Sequence, residues 1–181
     1  MARMDELTRL AVTAQNGDRT SLERFVRSAQ GDVWRLCRYL SDEHAADDLA
    51  QEALIRALRA LPAFRADSSA RTWILSIAQR TCADDVRRRA RRRRLAERLV
   101  NNAAAAHVDD HAEAHALGSL VRLLDLDRRE AFVLTQVIGL SYDETAAVLG
   151  CPIGTIRSRV ARARAQLIEA AGGSPAATAH G

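Results

Sequence analysis

The segment from Thr155 to Leu167 carries polar chemistry on one side of a helix and apolar packing on the other. Wound at about 3.6 residues per turn, it gathers Ile156, Val160, Ala163 and Leu167 into one narrow sector that must face a core. Opposite them lie Gly154, Ser158, Ala161, Arg162 and Ala165. Arg157 and Arg164 flank one side; Thr155 and Arg159 flank the other. Small residues let a helix seat deep in a DNA major groove, and arginines on both rims reach phosphates and guanine edges. The residues ahead of this helix fit that use. Ser141-Tyr142-Asp143-Glu144 has the pattern of a capping box, Gly150 suits a left-handed C-cap, and Pro152 suits the first turn of a following helix. Two short helices joined by a tight, glycine-containing turn make a helix-turn-helix. An ordinary surface helix with a solvated arginine face would need neither the capped helix nor the turn.

A second concentration of charge is Arg87-Arg88-Arg89-Ala90-Arg91-Arg92-Arg93-Arg94. Like charges at this density repel, so an isolated helix would fray here, and DNA phosphates would relieve the repulsion. The alternative is a solvated arm that only aids solubility. His107, His111 and His115 stand at i, i+4 and i+8, a metal-ligand spacing if helical, but in a segment with no packing to hold ligands still. No metal or cofactor is expected. Cys37, Cys82 and Cys151 are isolated and form no C-x-x-C pair, so they are expected to be small, half-buried, reduced thiols. Asp47-Asp48 and Asp84-Asp85 are expected to be solvated or to face a partner. No nucleophile–base constellation, phosphate loop or paired-carboxylate site stands out, and no enzyme is expected.

The elements that must position these residues are helices. The chain of 181 residues holds only 4% aromatics and three prolines, and 35 alanines, a composition that favours helix nearly throughout. All 27 basic residues are arginine, and the net charge of +4 favours an anionic partner. No apolar run is long enough to span a membrane, and Met1-Ala2-Arg3-Met4-Asp5-Glu6 opens no signal peptide, so a cytoplasmic protein is expected. Helices are predicted over about Asp5–Gln15, Leu22–Leu40, Asp47–Leu61 and Ala70–Arg89, with Phe25, Trp34, Leu36, Cys37 and Leu40 as core candidates in the second. In the third, Leu49, Ala53, Ala57 and Leu61 recur every four positions, and Leu54 and Leu58 widen that stripe. Leu117–Leu124 and Arg128–Ile138 follow; the latter is apolar nearly all round, so it is buried. The fold class is therefore all-α, with two small helical domains over residues 1–94 and 117–171, a linker over 95–116 and a tail over 172–181. The linker is net acidic, at −3 over 95–118, against +6 over 1–94.

Three stretches together resemble the extracytoplasmic-function group of bacterial sigma factors, the group 4 branch of the sigma-70 family. They are Asp47-Asp48-Leu49-Ala50-Gln51-Glu52-Ala53-Leu54-Ile55-Arg56-Ala57, Phe64-Arg65-Ala66-Asp67-Ser68-Ser69-Ala70-Arg71-Thr72-Trp73-Ile74, and Gly139–Ala146 followed by Cys151-Pro152-Ile153-Gly154-Thr155-Ile156-Arg157-Ser158-Arg159. Trp34-Arg35 and Tyr39-Leu40-Ser41-Asp42 are similar to an actinobacterial sigma C-like subgroup. The resemblance implies a region 2 domain whose Asp48, Gln51, Glu52, Ile55, Arg56 and Arg59 bind the β′ clamp helices of core RNA polymerase. It implies that Phe64, Arg65, Asp67, Ser68, Ser69, Arg71, Trp73, Arg80, Arg87 and Arg88 meet the −10 element, the loop holding a flipped-out base and the helix following the non-template strand. It implies a region 4 domain near the β flap whose Thr155, Arg157, Ser158, Arg159 and Arg162 read the −35 element of promoter DNA. Relatives of this kind are often held by an anti-sigma factor. Two positions depart from the pattern: relatives often carry Asn where this chain has Arg80, and some carry a bulky residue at Ala161. A free-standing helix-turn-helix regulator would explain Ser141–Leu167 but leave Asp47–Trp73 without a role. A pure interaction module would not need the arginine-rimmed helix.

Overall fold

The computed structural model describes residues 4–99 and 116–172. Among them are eight α-helices and no strand: α1 (Glu6–Gln15), α2 (Arg19–Leu40), α3 (Glu43–Ala60), α4 (Ala70–Leu99), α5 (Ala116–Arg122), α6 (Leu126–Phe132), α7 (Tyr142–Leu149) and α8 (Ile153–Ala170). Local chemistry sets their starts. Asp5 accepts from the Thr8 amide, Asp18 from Thr20 and Ser21, and Asp125 from Arg128, each satisfying donors that a helix leaves open at its first turn. The bond from the Ser21 hydroxyl holds the Asp18 carboxyl below its ordinary range. α3 gives way to a short 3-10 turn at Leu61–Ala63, where Pro62 removes the next amide donor.

In the first unit α2 lies at the centre and packs on α1, α3 and α4. Phe25, Val33, Leu36 and Leu40 of α2 meet Ala53 and Ala57 of α3 and Ile74, Leu75 and Ala78 of α4, all buried. The alanines bring α3 close to its neighbours without large side chains. In the second unit α8 lies across α6 and α7, with Ile156, Val160 and Ala163 buried. After α6 the chain widens into a π-turn, Val133–Val137.

The two units do not stand apart. Val121, Val133, Leu134, Ile138, Leu140 and Val148 belong to the same buried cluster as Leu36, Leu40 and Ile74. α4 packs on α7, and α2 touches α5 and α6. This explains why 132–138 is apolar nearly all round: Phe132, Val133, Leu134, Val137 and Ile138 all lie in or against that shared cluster.

Four expectations change. Trp34 is no core residue; it is 41% exposed, and its indole donates to Asp47 Oδ1 at 2.6 Å. Leu58 does not join the buried stripe of α3 but lies exposed beside Ile55. Cys37 and Cys82 are fully buried, with sulfurs 3.4 Å apart, while Cys151 is half-buried. The arginine run stays helical, because Asp84 and Asp85 sit one turn ahead of it. Asp84 pairs with Arg87, whereas Asp85 is buried and pairs with Arg88 and Arg89. Opposite charges at three and four residues offset part of the repulsion among the arginines. Among the described residues no helix is long and apolar enough to cross a membrane. His107, His111 and His115 lie outside the described residues.

Candidate nucleic-acid and polymerase interfaces

The helix-turn-helix is built from local contacts. Ser141 Oγ accepts from the Glu144 amide at 3.1 Å, and Glu144 Oε2 accepts from the Ser141 amide at 2.8 Å. Gly150 takes φ +63°, the left-handed conformation that lets α7 stop and α8 start within three residues. On α8, Arg157, Ser158, Ala161, Arg162, Arg164 and Ala165 are exposed, Thr155 and Arg159 half-buried, and Leu167 half-buried rather than sealed in the core. Arg157 and Arg162 therefore project from one open face with small residues between them. Arg159 is engaged with Asp127 of α6, and Arg164 Nη2 donates to Gln136 Oε1 at 2.6 Å.

The segment between α3 and α4 is a short loop that follows the 3-10 turn. Phe64 is buried, its ring centroid 4.9 Å from that of Trp73, so its ring forms the floor of the loop. Arg65, Asp67 and Ser68 are exposed, Ser69 is half-buried, and Arg65 pairs with Asp67 at 2.7 Å. Ser69 Oγ accepts from the Thr72 amide at 3.1 Å and so caps α4. Further along α4, Arg80, Arg87 and Arg88 are exposed. Arg71 is held on two sides: Nε donates to Asp32 Oδ2 at 2.7 Å, and Nη2 donates to the Ile138 carbonyl at 2.7 Å. One turn-pair on, buried Gln79 donates to buried Glu130 of α6 at 2.8 Å. The second unit thus covers the Arg71–Gln79 side of α4. Burial raises the Glu130 carboxyl above its ordinary range, against the pull of the Gln79 bond.

The exposed face of α3 carries Asp48, Gln51, Ile55, Arg56 and Arg59, with Glu52 half-buried and paired with Arg56 at 2.8 Å. It continues into a groove of about 410 Å³ against α2, lined by Gln30, Trp34, Asp47, Gln51 and Leu54. Arg38 stacks over Trp34 at 5.2 Å. Two large exposed apolar side chains, Ile55 and Leu58, sit beside charges on this face, as on a surface that meets another protein.

Residues 25–92 match the model of sigma-70 region 2, and residues 114–167 match that of sigma-70 region 4. The probable RNA polymerase sigma-C factor of Mycobacterium bovis is 46% identical over 172 residues, covering 91% of this chain and 90% of the relative. The chain belongs to the sigma-70 family. Within the family it is an extracytoplasmic-function sigma factor of the sigma-C kind: the sigma factor SigC of Mycobacterium tuberculosis is likewise 46% identical, with the same coverage. A sigma factor binds core RNA polymerase and promoter DNA and directs where transcription starts. Two solved structures share the fold. Bartonella quintana RpoE, in complex with the anti-sigma factor NepR, has a TM-score of 0.71 at 27% identity, over 83% of this chain and 96% of that one. CnrH, in complex with the cytosolic domain of CnrY, has a TM-score of 0.72 at 28% identity, over 93% and 98%.

The two matched regions fall on the two units, α2–α4 and α5–α8. α1 precedes the first match. The contacts of α1 with the loop, and those of Gln79 and Arg71 with the second unit, were not found from sequence. Only Glu130, an acid set directly against an apolar stretch, could have signalled a buried partner.

Proposed function

We propose that this sigma factor divides its work among three surfaces. The α3 face with Asp48, Gln51, Glu52, Ile55, Arg56 and Arg59 docks on the β′ clamp helices of core polymerase, and the second unit lies near the β flap. α8 enters the −35 major groove, with Arg157, Ser158 and Arg162 at base edges and Thr155 and Arg159 at the rim. The loop with Arg65, Asp67, Ser68 and Ser69, floored by Phe64 and Trp73, takes an unstacked −10 base, while Arg80, Arg87 and Arg88 follow the displaced strand, joined by Arg71 once its tie to the Ile138 carbonyl is released. Trapping an unstacked base takes few side chains if they are held in place, and stacking plus phosphate contacts supply the affinity. The chain catalyses no step itself; it works in the cytoplasm and leaves bond making to the polymerase. On this reading the functional units are residues 1–94 and 117–171, with 95–116 threading toward the RNA exit path.

The observation that carries this reading is α8: Ile156, Val160 and Ala163 seat it on its own unit, while Arg157, Ser158 and Arg162 stay open to solvent. That RpoE is solved with the anti-sigma factor NepR, and CnrH with the cytosolic domain of CnrY, supports a protein partner of the anti-sigma kind for this chain. In vitro transcription with core polymerase, with and without the chain, tests the reading. Initiation at selected promoters is expected only with it; tight duplex binding by the chain alone, without effect on initiation, would return the free-standing regulator.

A further inference from the structure

The loop between α3 and α4 holds Ala66 at φ +56°, the single non-glycine residue with positive φ among those described. An alanine there is strained, and such strain persists only when the surroundings fix it. The fixing contacts come from α1. At the loop's start, Gln15 Nε2 donates to the carbonyls of Leu61 at 2.8 Å and Phe64 at 2.6 Å. Both partners are acceptors, so the amide nitrogen must point at them. At the loop's end, Thr8 Oγ1 accepts from the Ala70 amide at 2.8 Å and itself donates to Asp5 Oδ2 at 2.6 Å. Thr8 is 4% exposed, and this relay joins Asp5, the cap of α1, to the first residue of α4. Burial alone would raise the Asp5 carboxyl, but the bonds from the Thr8 hydroxyl and amide outweigh it and hold the group below its ordinary range.

Thr8 and Gln15 are seven residues apart, so they lie on one face of α1 about 10.5 Å apart along its axis. One short helix thereby ties both ends of the loop. The family match begins at residue 25 and gives α1 no part. We infer that α1 is the brace of the −10 loop and that Thr8 and Gln15 are positioning residues, holding its ends so that residues 65–69 meet an unstacked base already shaped. This rests on the proposed reading of the loop. Without the brace, Ala66 relaxes toward negative φ and each captured base must pay the ordering cost of the loop.

The test uses the full chain bound to core polymerase. The probe is a pool of single-stranded DNA randomised over six positions, from which the holoenzyme selects. Gln15→Leu and Thr8→Val remove hydrogen bonding at nearly constant volume; Thr8→Ser keeps the hydroxyl. Wild type is expected to enrich a preferred base at the loop. Gln15→Leu and Thr8→Val should lose about tenfold of that preference, the equivalent of one lost tie. Core affinity should stay close to wild type, the thermal midpoint should fall by only about a few degrees, as one lost buried hydrogen bond dictates, and Thr8→Ser should restore the preference. Undiminished base preference in both variants overturns the inference. So does a loss that tracks core affinity, or one that Thr8→Ser fails to restore, which would make the ties merely structural. Wild type enriching no base, while still programming initiation, sinks the reading of the loop itself and the inference with it.

Discussion

Arg162 projects from the open face of α8 beside exposed Ser158 and Ala165, whereas Arg159 on the flank already holds Asp127. The two arginines are therefore expected to differ. Arg162→Ala should cost about 1–3 kcal/mol at a matched −35 element and relax selectivity at one base pair. Initiation rates on −35 variants check this; a uniform loss across variants would make Arg162 a phosphate contact. The cysteines offer a second prediction at this scale. The contact with Cys37 and then burial raise the Cys82 thiol far above its ordinary range, so it offers no thiolate at neutral pH, and Cys37 is sealed from reagent in the same core. A disulfide reagent should titrate one thiol per native chain, at Cys151, and three after unfolding. Two rapidly reacting thiols in the native protein would show that the α2–α4 core opens readily.

The helix-turn-helix was legible in the sequence because its signals are local: Ser141 and Glu144 cap each other, and Gly150 supplies the one left-handed residue the turn needs. Trp34 and Leu58 were misread because helical periodicity identifies an apolar stripe without saying which edge of it a neighbour covers. Alanine-rich α3 is covered along Ala53 and Ala57, leaving Leu58 and Ile55 outside. α4 was legible in place but not in extent. Counting like charges foretells fraying, yet Asp84 and Asp85 at the head of the run pair with Arg87, Arg88 and Arg89 and carry the helix to Leu99. Arg91 to Arg94, exposed and lying beyond those pairs, should then act through phosphates. Neutralising Arg91 and Arg92 should reduce the log–log salt slope of promoter-complex formation by up to about two. An unchanged slope would assign this end of α4 to solvent.

Across the whole molecule, the sequence divides the chain by charge into two units and a linker, while the structure joins the units through one apolar core. Such a join depends on pairing residues far apart in sequence, as Gln79 with Glu130 or Arg71 with the Ile138 carbonyl, and no periodicity encodes it. It also puts a titratable group at the seam. Glu130 faces Gln79 and Arg87 of α4, Asp127 of its own helix and Arg159 of α8; burial raises its carboxyl, Asp127 adds to the rise, and Gln79, Arg159 and Arg87 oppose it. A carboxyl whose pKa is higher in the packed state supports packing fully below its ordinary value. That support is lost as pH climbs through the raised value, where the packed state must either keep a proton or bury a charge. The joined form should therefore loosen as pH rises through the range above the ordinary carboxyl value, the units drawing apart. Glu130→Gln keeps an oxygen to accept from Gln79 and cannot ionise, so it should hold the units together across that range. The radius of gyration from X-ray scattering should grow with pH in wild type and stay flat in Glu130→Gln. An equal expansion in both proteins would place the pH response elsewhere.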